Sequence, residues 1–275
     1  MSNNQEINPS TNTIQKQHGE EDFGKFLISK VPQVTIFFWV IKIMATTVGE
    51  TAADYLNFHL HIGLTNTTVI MSALLIVILI FQYRANRYVP SVYWTSVVMI
   101  SVVGTLVTDN LTDHFGVPLI LSTIVFSILL ALTFILWYAN EKTLSIHSIF
   151  TTKRETYYWL TILFTFALGT AAGDLVSEDL KLGYLLSGII FAGAIALVTI
   201  GYYKFKMNAV LSFWIAYILT RPLGASIGDF LSQSSSKGGL GLGTTGTSFL
   251  FLIIILGLVV YLSISKRDSL QRSSQ

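Results

Sequence analysis

The sequence predicts an all-α polytopic membrane protein, and three observations lead to this fold class. The chain has 275 residues, of which 52% are apolar and only 12% charged, whereas a soluble domain carries about 25% charged residues. Its mean hydropathy is +0.63, and its apolar residues lie in runs long enough to cross about 30 Å of hydrocarbon as helices. One short acidic pattern also occurs four times. A water-facing globular surface is therefore excluded.

Eight apolar runs follow a polar segment. Residues 1–30 are expected to form a disordered cytoplasmic tail, because they lack an apolar core. The predicted membrane domain covers residues 31–264, and residues 265–275 form a second cytoplasmic tail. The predicted spans are residues 31–56, 64–83, 91–112, 117–138, 156–178, 182–203, 208–231 and 246–264.

The basic residues predict the orientation of these spans. The predicted loops on one side, together with the two tails, carry thirteen of the 17 Lys and Arg residues, whereas Lys181 and Lys237 lie on the other side. By the positive-inside rule, the side rich in cations is cytoplasmic and holds both termini. The thirteen are Lys16, Lys25, Lys30, Arg84, Arg87, Lys142, Lys153, Arg154, Lys204, Lys206, Lys266, Arg267 and Arg272.

The acidic pattern indicates four tandem repeats of two spans each. Four segments align without gaps: TTVGETAAD (46–54), TLVTDNLTD (105–113), TAAGDLVSE (170–178) and ASIGDFLSQ (225–233). Each lies in the second half of an odd-numbered span, and the repeats extend over about 31–83, 91–138, 156–203 and 208–264. A tryptophan precedes the first acid by fifteen residues in repeats two to four, while Trp39 is displaced by four residues in repeat one.

These features resemble a bacterial family of integral membrane proteins with four tandem two-span repeats, each with a characteristic tryptophan and an acidic motif. The family has long been labelled as of unknown function. The resemblance implies the repeat architecture and a location in the bacterial inner membrane, but it brings no activity. Trp39 out of register, Thr108 in place of glycine and Gln233 in place of an acid depart from the common pattern.

Repeats that enter the membrane in the same direction are related by rotation about the membrane normal. We therefore expect eight transmembrane helices in a pseudo-fourfold, or two-by-two, arrangement with the odd-numbered helices at the centre. Acids four residues apart lie on one helix face, so the stripes predict two stacked rings. The deeper ring would hold Glu50, Asp109, Asp174 and Asp229. The outer ring would hold Asp54, Asp113, Glu178 and Gln233, with supporting hydroxyls from Thr46, Thr105 and Thr170.

The charge of this cluster predicts a cation site. Seven carboxylates face only two nearby fixed cations, Lys42 and Arg221, so mobile cations or protons must balance the remainder. Oxygen ligands suit Mn²⁺, Mg²⁺ or Ca²⁺, and the histidines near the outer mouth favour Mn²⁺ as the first candidate. Those histidines are His59, His61 and His114. We therefore expect a divalent-cation transporter without a permanently bound cofactor, in which the metal is substrate.

Other functions stay open at this point. A proton-coupled permease for a small organic cation would use acidic stripes equally well, and a membrane-embedded sensor or partner-binding protein belongs to a different class. An enzyme is not expected: a membrane-embedded hydrolase with a carboxylate-bound metal would need histidine ligands or a nucleophile within the spans, and no histidine lies in the core of one. The net charge of +2 does not favour nucleic acid. Lipid, metal ions and protons are the expected partners, and homo-oligomer formation is open.

Overall fold

The computed structural model describes residues 29–59 and 63–268. The predicted tails therefore lie largely outside the described residues, and so does His61. Ser29 and Lys30, which the sequence places in the amino-terminal tail, are described and buried. Within the described residues, all regular structure is helical.

Eight long helices account for the eight predicted spans. Each has 20 to 24 residues and is long and apolar enough to cross a membrane, so the chain is a multi-pass membrane protein. The helices are α1 (Ile36–His59), α2 (Leu64–Arg84), α3 (Pro90–Asp109), α4 (Leu119–Glu141), α5 (Thr152–Asp174), α6 (Tyr184–Phe205), α7 (Ala209–Ser232) and α8 (Gly243–Ser265).

The odd-numbered helices form a closed inner ring, and the even-numbered helices surround it. In the inner ring, α1 packs against α3, α3 against α5, α5 against α7, and α7 against α1. Each even-numbered helix packs chiefly on the odd-numbered helix that follows it, and α8 packs on α1. The even-numbered helices leave most of their residues exposed, which suits contact with lipid. The predicted pseudo-fourfold arrangement is confirmed.

Four glycines allow the inner helices to approach one another closely. A Cβ on any of them would collide with the neighbouring helix, so each marks a backbone contact that a larger residue would push apart. All four contacts follow the same rule. The residue that a Cβ on the glycine would meet lies on the next inner helix, three residues before the corresponding glycine of that helix. The pairs are Gly49 with Ser101, Gly104 with Phe166, Gly169 with Arg221, and Gly224 with Thr46.

The two ends of the bundle differ in charge. The basic side, where α2, α4, α6 and α8 end, carries the lysine- and arginine-rich connections; the acidic side is the opposite end. On the basic side, the Lys30 ammonium donates to Glu155 at 2.7 Å and to the Tyr83 carbonyl at 2.9 Å. Gln33 N–H also bonds the Asp268 carbonyl at 3.0 Å. The segment before α1 is therefore fastened to α2, α5 and the residues after α8.

Candidate cation site

The inner helices supply equivalent residues at four-residue intervals, one helical turn apart, and these form layers across the centre of the ring. The layer nearest the basic side, called here the aromatic layer, consists of Phe38, Tyr93, Tyr158 and Phe213. In it, the Tyr93 and Tyr158 hydroxyls lie 2.5 Å apart, and the rings of Phe38 and Phe213 are 5.9 Å apart. Aromatic packing therefore closes the basic end of the ring.

Four further layers follow toward the acidic side. The Lys42 layer consists of Lys42, Val97, Ile162 and Tyr217. The Arg221 layer consists of Thr46, Ser101, Phe166 and Arg221. The Glu50 layer consists of Glu50, Thr105, Thr170 and Ala225. The aspartate layer consists of Asp54, Asp109, Asp174 and Asp229.

Arg221 joins all four repeats at the centre of the ring. Its Nη2 donates to a Glu50 carboxylate oxygen at 2.8 Å, to Thr170 Oγ1 at 2.6 Å and to Thr105 Oγ1. Its side chain is fully buried, and that of Glu50 is 8% exposed. Repeat four thus supplies a cation whose acceptors come one from each of the other three repeats.

The carboxylates nearest this cation converge into one group. Glu50, Asp174 and Asp229 each place an oxygen within 4.8 Å of the others, and they come from α1, α5 and α7. Asp54 and Asp109 complete the aspartate layer with Asp174 and Asp229, and Asp54 follows Glu50 by one turn of α1. Glu50 therefore lies between Arg221 on one side and the aspartate layer on the other.

Exposure of the acids increases toward the acidic side. Glu50 and Asp229 are buried, and Asp54, Asp109 and Asp174 are half-buried. Asp113 and Glu178 are exposed. The acidic side thus leads to the carboxylate group, while the aromatic layer blocks the opposite end.

The predicted outer ring is not assembled as a ring. The chain is π-helical over Asn110–His114 and over Leu175–Asp179, and the wider π turn removes the one-turn stacking of the acids four residues apart. Glu178 accepts a bond from the Tyr184 hydroxyl at 3.1 Å, and Asp113 from Thr112 Oγ1 at 3.0 Å. Gln233 donates to Asp54 at 3.5 Å.

Lys42 is the second buried cation on the central axis. Its ammonium lies 4.1 Å from the ring centre of Phe166 and 4.3 Å from that of Tyr217. Among the described residues, no hydrogen-bond acceptor contacts its Nζ. Lys42 therefore lies on aromatic rings between the Arg221 layer and the closed basic end.

Of the three histidines expected near the outer mouth, the structure describes only the side chain of His114. His114 is exposed and packs against the ring of Phe115. His59 ends α1, and its side chain lies outside the described part of the structure. Helix α7 continues through Pro222. The glycine-rich connection 234–246 includes a 3₁₀ turn, Ser235–Lys237, and two backbone bonds fasten it to Phe230 and Leu231.

A family model of tandem repeats matches the chain four times. Its description is "Repeat of Unknown Function (DUF347)", and the matches cover residues 37–88, 92–143, 157–208 and 212–268. Together they cover more than half of the chain. The protein belongs to this family. No curated protein and no solved structure gives a match.

The family matches also show which residues are equivalent between repeats. In every match an aspartate lies seventeen residues after the first matched residue, and a tryptophan lies two residues after it. The aspartates are Asp54, Asp109, Asp174 and Asp229, and the tryptophans are Trp39, Trp94, Trp159 and Trp214. The glycine contacts place the same aspartates in equivalent positions, five residues after each glycine.

The alignment of repeat one from its acidic pattern is therefore wrong by one helical turn. Glu50 is not the counterpart of Asp109; it is the counterpart of Thr105, and Asp54 belongs to the aspartate ring. The acidic pattern misaligns repeat one because acids occupy both position 50 and position 54. The pattern therefore still fits after a shift of four residues. The position of Trp39 was the sequence signal for the true register.

Sequence reasoning also missed the layers between the acids and the basic side. Phe166 and Tyr217 are fully buried against Lys42, and Ser101 is fully buried where a Cβ on Gly49 would collide with it. Their signal was present, since the four-residue interval continues from each aspartate toward the start of its helix. Phe166 is the most informative, because both buried cations lie over its ring, with Arg221 Cζ at 5.6 Å from the ring centre.

Proposed function

We propose that this protein transports a divalent metal cation across the membrane, with Mn²⁺ the first ion to test. The observation that carries the proposal is the convergence of Glu50, Asp174 and Asp229, whose carboxylate oxygens lie within 4.8 Å of one another. Carboxylates from three separate helices approach this closely at a low cost in repulsion only when bound cations or protons balance their charge.

The geometry of the group suits a hard cation. Oxygen ligands bind Mg²⁺ or Ca²⁺ at about 2.0 to 2.6 Å, so oxygens that share one ion lie roughly 3 to 5 Å apart. Asp54 and Asp109 border the group, and Thr105 and Thr170 offer hydroxyl oxygens one turn deeper. The absence of cysteine from the chain also suits a hard ion rather than a soft one.

Transport, rather than storage of the ion, is supported by the position of the group. The carboxylates lie inside the ring of membrane-crossing helices, and their exposure falls with depth from the acidic side. By the charge asymmetry of the loops, the acidic side faces outward and both ends of the described chain face the cytoplasm. The bacterial inner membrane is the proposed location.

Metal flux into proteoliposomes tests the proposal. Purified protein is reconstituted, and Mn²⁺ uptake is compared between the wild type and the variant Asp174→Asn with Asp229→Asn. We expect uptake in the wild type and uptake at the level of protein-free liposomes in the double variant, because two of the three converging carboxylates lose their charge. Asp179→Asn is the matched control, since Asp179 is an exposed acid of the same end.

Two results would contradict the proposal. Wild-type liposomes that accumulate no more Mn²⁺, Mg²⁺ or Ca²⁺ than protein-free liposomes would exclude transport of these ions. A double variant as active as the wild type would show that the converging acids are not the route. Uptake of a quaternary ammonium solute in place of metal would favour the permease for a small organic cation.

A further inference from the structure

The pairing of Arg221 with Glu50 differs from that of a permanent structural ion pair. A buried arginine usually presents two parallel N–H groups to both oxygens of a carboxylate. Here a single nitrogen, Nη2, serves Glu50, Thr105 and Thr170. Two hydrogens are thus shared among three acceptors, and the guanidinium is bound through one of its ends.

The rest of the guanidinium has no hydrogen-bond partner. Within the described part of the chain, Nε and Nη1 of Arg221 are buried without an acceptor, as is Nζ of Lys42. Buried, unpaired donors on charged groups are costly. The central layers therefore hold buried cationic donors to which no described residue offers an acceptor.

Glu50 can reach two different kinds of cation. Its carboxylate bonds Arg221 at 2.8 Å, and it also lies with Asp174 and Asp229 in the group that suits a metal ion. The corrected register explains this position: repeat one carries a glutamate where the other repeats carry Thr105, Thr170 and Ala225. Glu50 is thus an extra acid between the aspartate layer and Arg221.

We propose that Arg221 is a tethered counter-cation that competes with the transported ion for Glu50. In the metal-free site, Arg221 neutralises Glu50; when a divalent ion binds between Glu50, Asp174 and Asp229, the carboxylate turns to the ion and Arg221 is released. This inference rests on the proposed function of metal transport. It adds that Arg221 acts through Glu50, as a residue that sets the charge of the empty site.

The consequence concerns the return of the empty carrier. A site that carries uncompensated negative charge in a low-dielectric surrounding is costly to move or occlude. Arg221 lowers that cost when the metal has left. Without it, the protein completes its cycle chiefly with metal bound, so that it exchanges metal across the membrane but gives little net flux.

The ratio of exchange to net flux tests this inference. Net Mn²⁺ uptake into empty proteoliposomes and exchange of radioactive Mn²⁺ into Mn²⁺-loaded ones are measured for the wild type, Arg221→Gln and Arg221→Lys. We expect the ratio of exchange to net flux to rise at least about fivefold in Arg221→Gln, at the lower end of typical coupling factors. Arg221→Lys keeps the charge and should stay near the wild-type ratio.

A second variant keeps the test decisive if Arg221→Gln does not fold. Glu50→Gln with Arg221→Gln removes both charges of the pair, which avoids an unpaired buried carboxylate and leaves the net charge of the empty site as in the wild type. Its ratio should therefore stay near the wild-type value, and a raised ratio in this double variant would overturn the inference. Arg154→Gln is the control, because Arg154 pairs with Glu141 on the basic side. A ratio equal to that of the wild type in folded Arg221→Gln would overturn the inference while metal transport stands. Absence of both fluxes in the wild type would overturn the proposed function itself.

Discussion

Gly169 of α5 lies where a Cβ would collide with the side chain of Arg221 on α7. The same position also brings Pro222 near the missing Cβ, with its Cδ at 3.1 Å. Because Arg221 must reach Glu50, Thr105 and Thr170 at once, the spacing between α5 and α7 is part of the site.

Substitution of this glycine should therefore disturb both packing and the Arg221 contacts. We expect Gly169→Ala to lower the free energy of unfolding by about 1 to 3 kcal/mol, the usual cost of overpacking. Gly193→Ala is the matched control: nothing lies within 4 Å of a Cβ there, so a small gain in helix propensity is expected. Thermal unfolding in detergent, followed by tryptophan fluorescence, measures both, and equal shifts for the two variants would contradict the close contact.

Binding of the substrate ion should stabilise the folded protein. A ligand at a hundred times its dissociation constant adds about 2.7 kcal/mol, so Mn²⁺ should raise the melting temperature and a chelator should reverse the shift. The increase should be absent in Asp174→Asn with Asp229→Asn and present in Asp179→Asn. A quaternary ammonium ion at the same concentration should have no effect. An equal increase in the double variant would show that the metal binds elsewhere.

Removal of one partner of the buried Lys30–Glu155 pair should be strongly destabilising. Glu155 is 1% exposed and also accepts bonds from Gln82 and Trp159. Lys30→Met would leave it without a counter-charge, at a cost of about 3 to 5 kcal/mol.

The pair Lys153–Glu141 provides the comparison, because the Lys153 side chain is 57% exposed. Lys153→Met should give a much smaller loss in the same urea or thermal unfolding experiment. The double variant Lys30→Met with Glu155→Gln should be more stable than Lys30→Met alone. An equal loss of stability in the two lysine variants would show that the burial of Lys30 does not increase the cost of removing its charge.

Asp268 should give the protein a pH-dependent stability. Burial raises the pKa of this carboxyl above its usual range, although the bond from the Tyr88 hydroxyl acts in the opposite direction. A carboxyl whose pKa is higher in the folded state loses stability as the pH rises from about 3.9 through the raised value. Asp268→Asn removes this loss.

The measurement is the difference in melting temperature between Asp268→Asn and the wild type across the pH range. The melting temperature of the variant should rise relative to that of the wild type as the pH rises through the raised pKa. Above that pKa the difference in melting temperature should be constant. The Asn oxygen can still accept the bond from Tyr88, which lies 2.5 Å from the Asp268 carboxylate. A difference that is independent of pH would contradict the shifted pKa.

Sequence patterns predicted the spans well because length and hydropathy are local properties. The eight apolar runs coincide with α1 to α8, and the basic connections lie together on one side. The first acids of repeats two to four occupy equivalent positions, as the tryptophan fifteen residues before each of them predicts. In repeat one, Glu50 and Asp54 lie one turn apart, so an acidic pattern alone fits both registers.

The sequence by itself determined that the chain is a four-repeat membrane protein with carboxylates on its odd-numbered helices. Only the tertiary structure decided that Glu50 pairs with Arg221, that its carboxylate converges with those of Asp174 and Asp229, and that Asp113 and Glu178 stay exposed. The physical reason is that contacts between helices set the register of each helix against its neighbours. Gly49 and Gly169 each pack closely against a residue that lies 52 positions later in the chain. No periodicity within one helix contains that information.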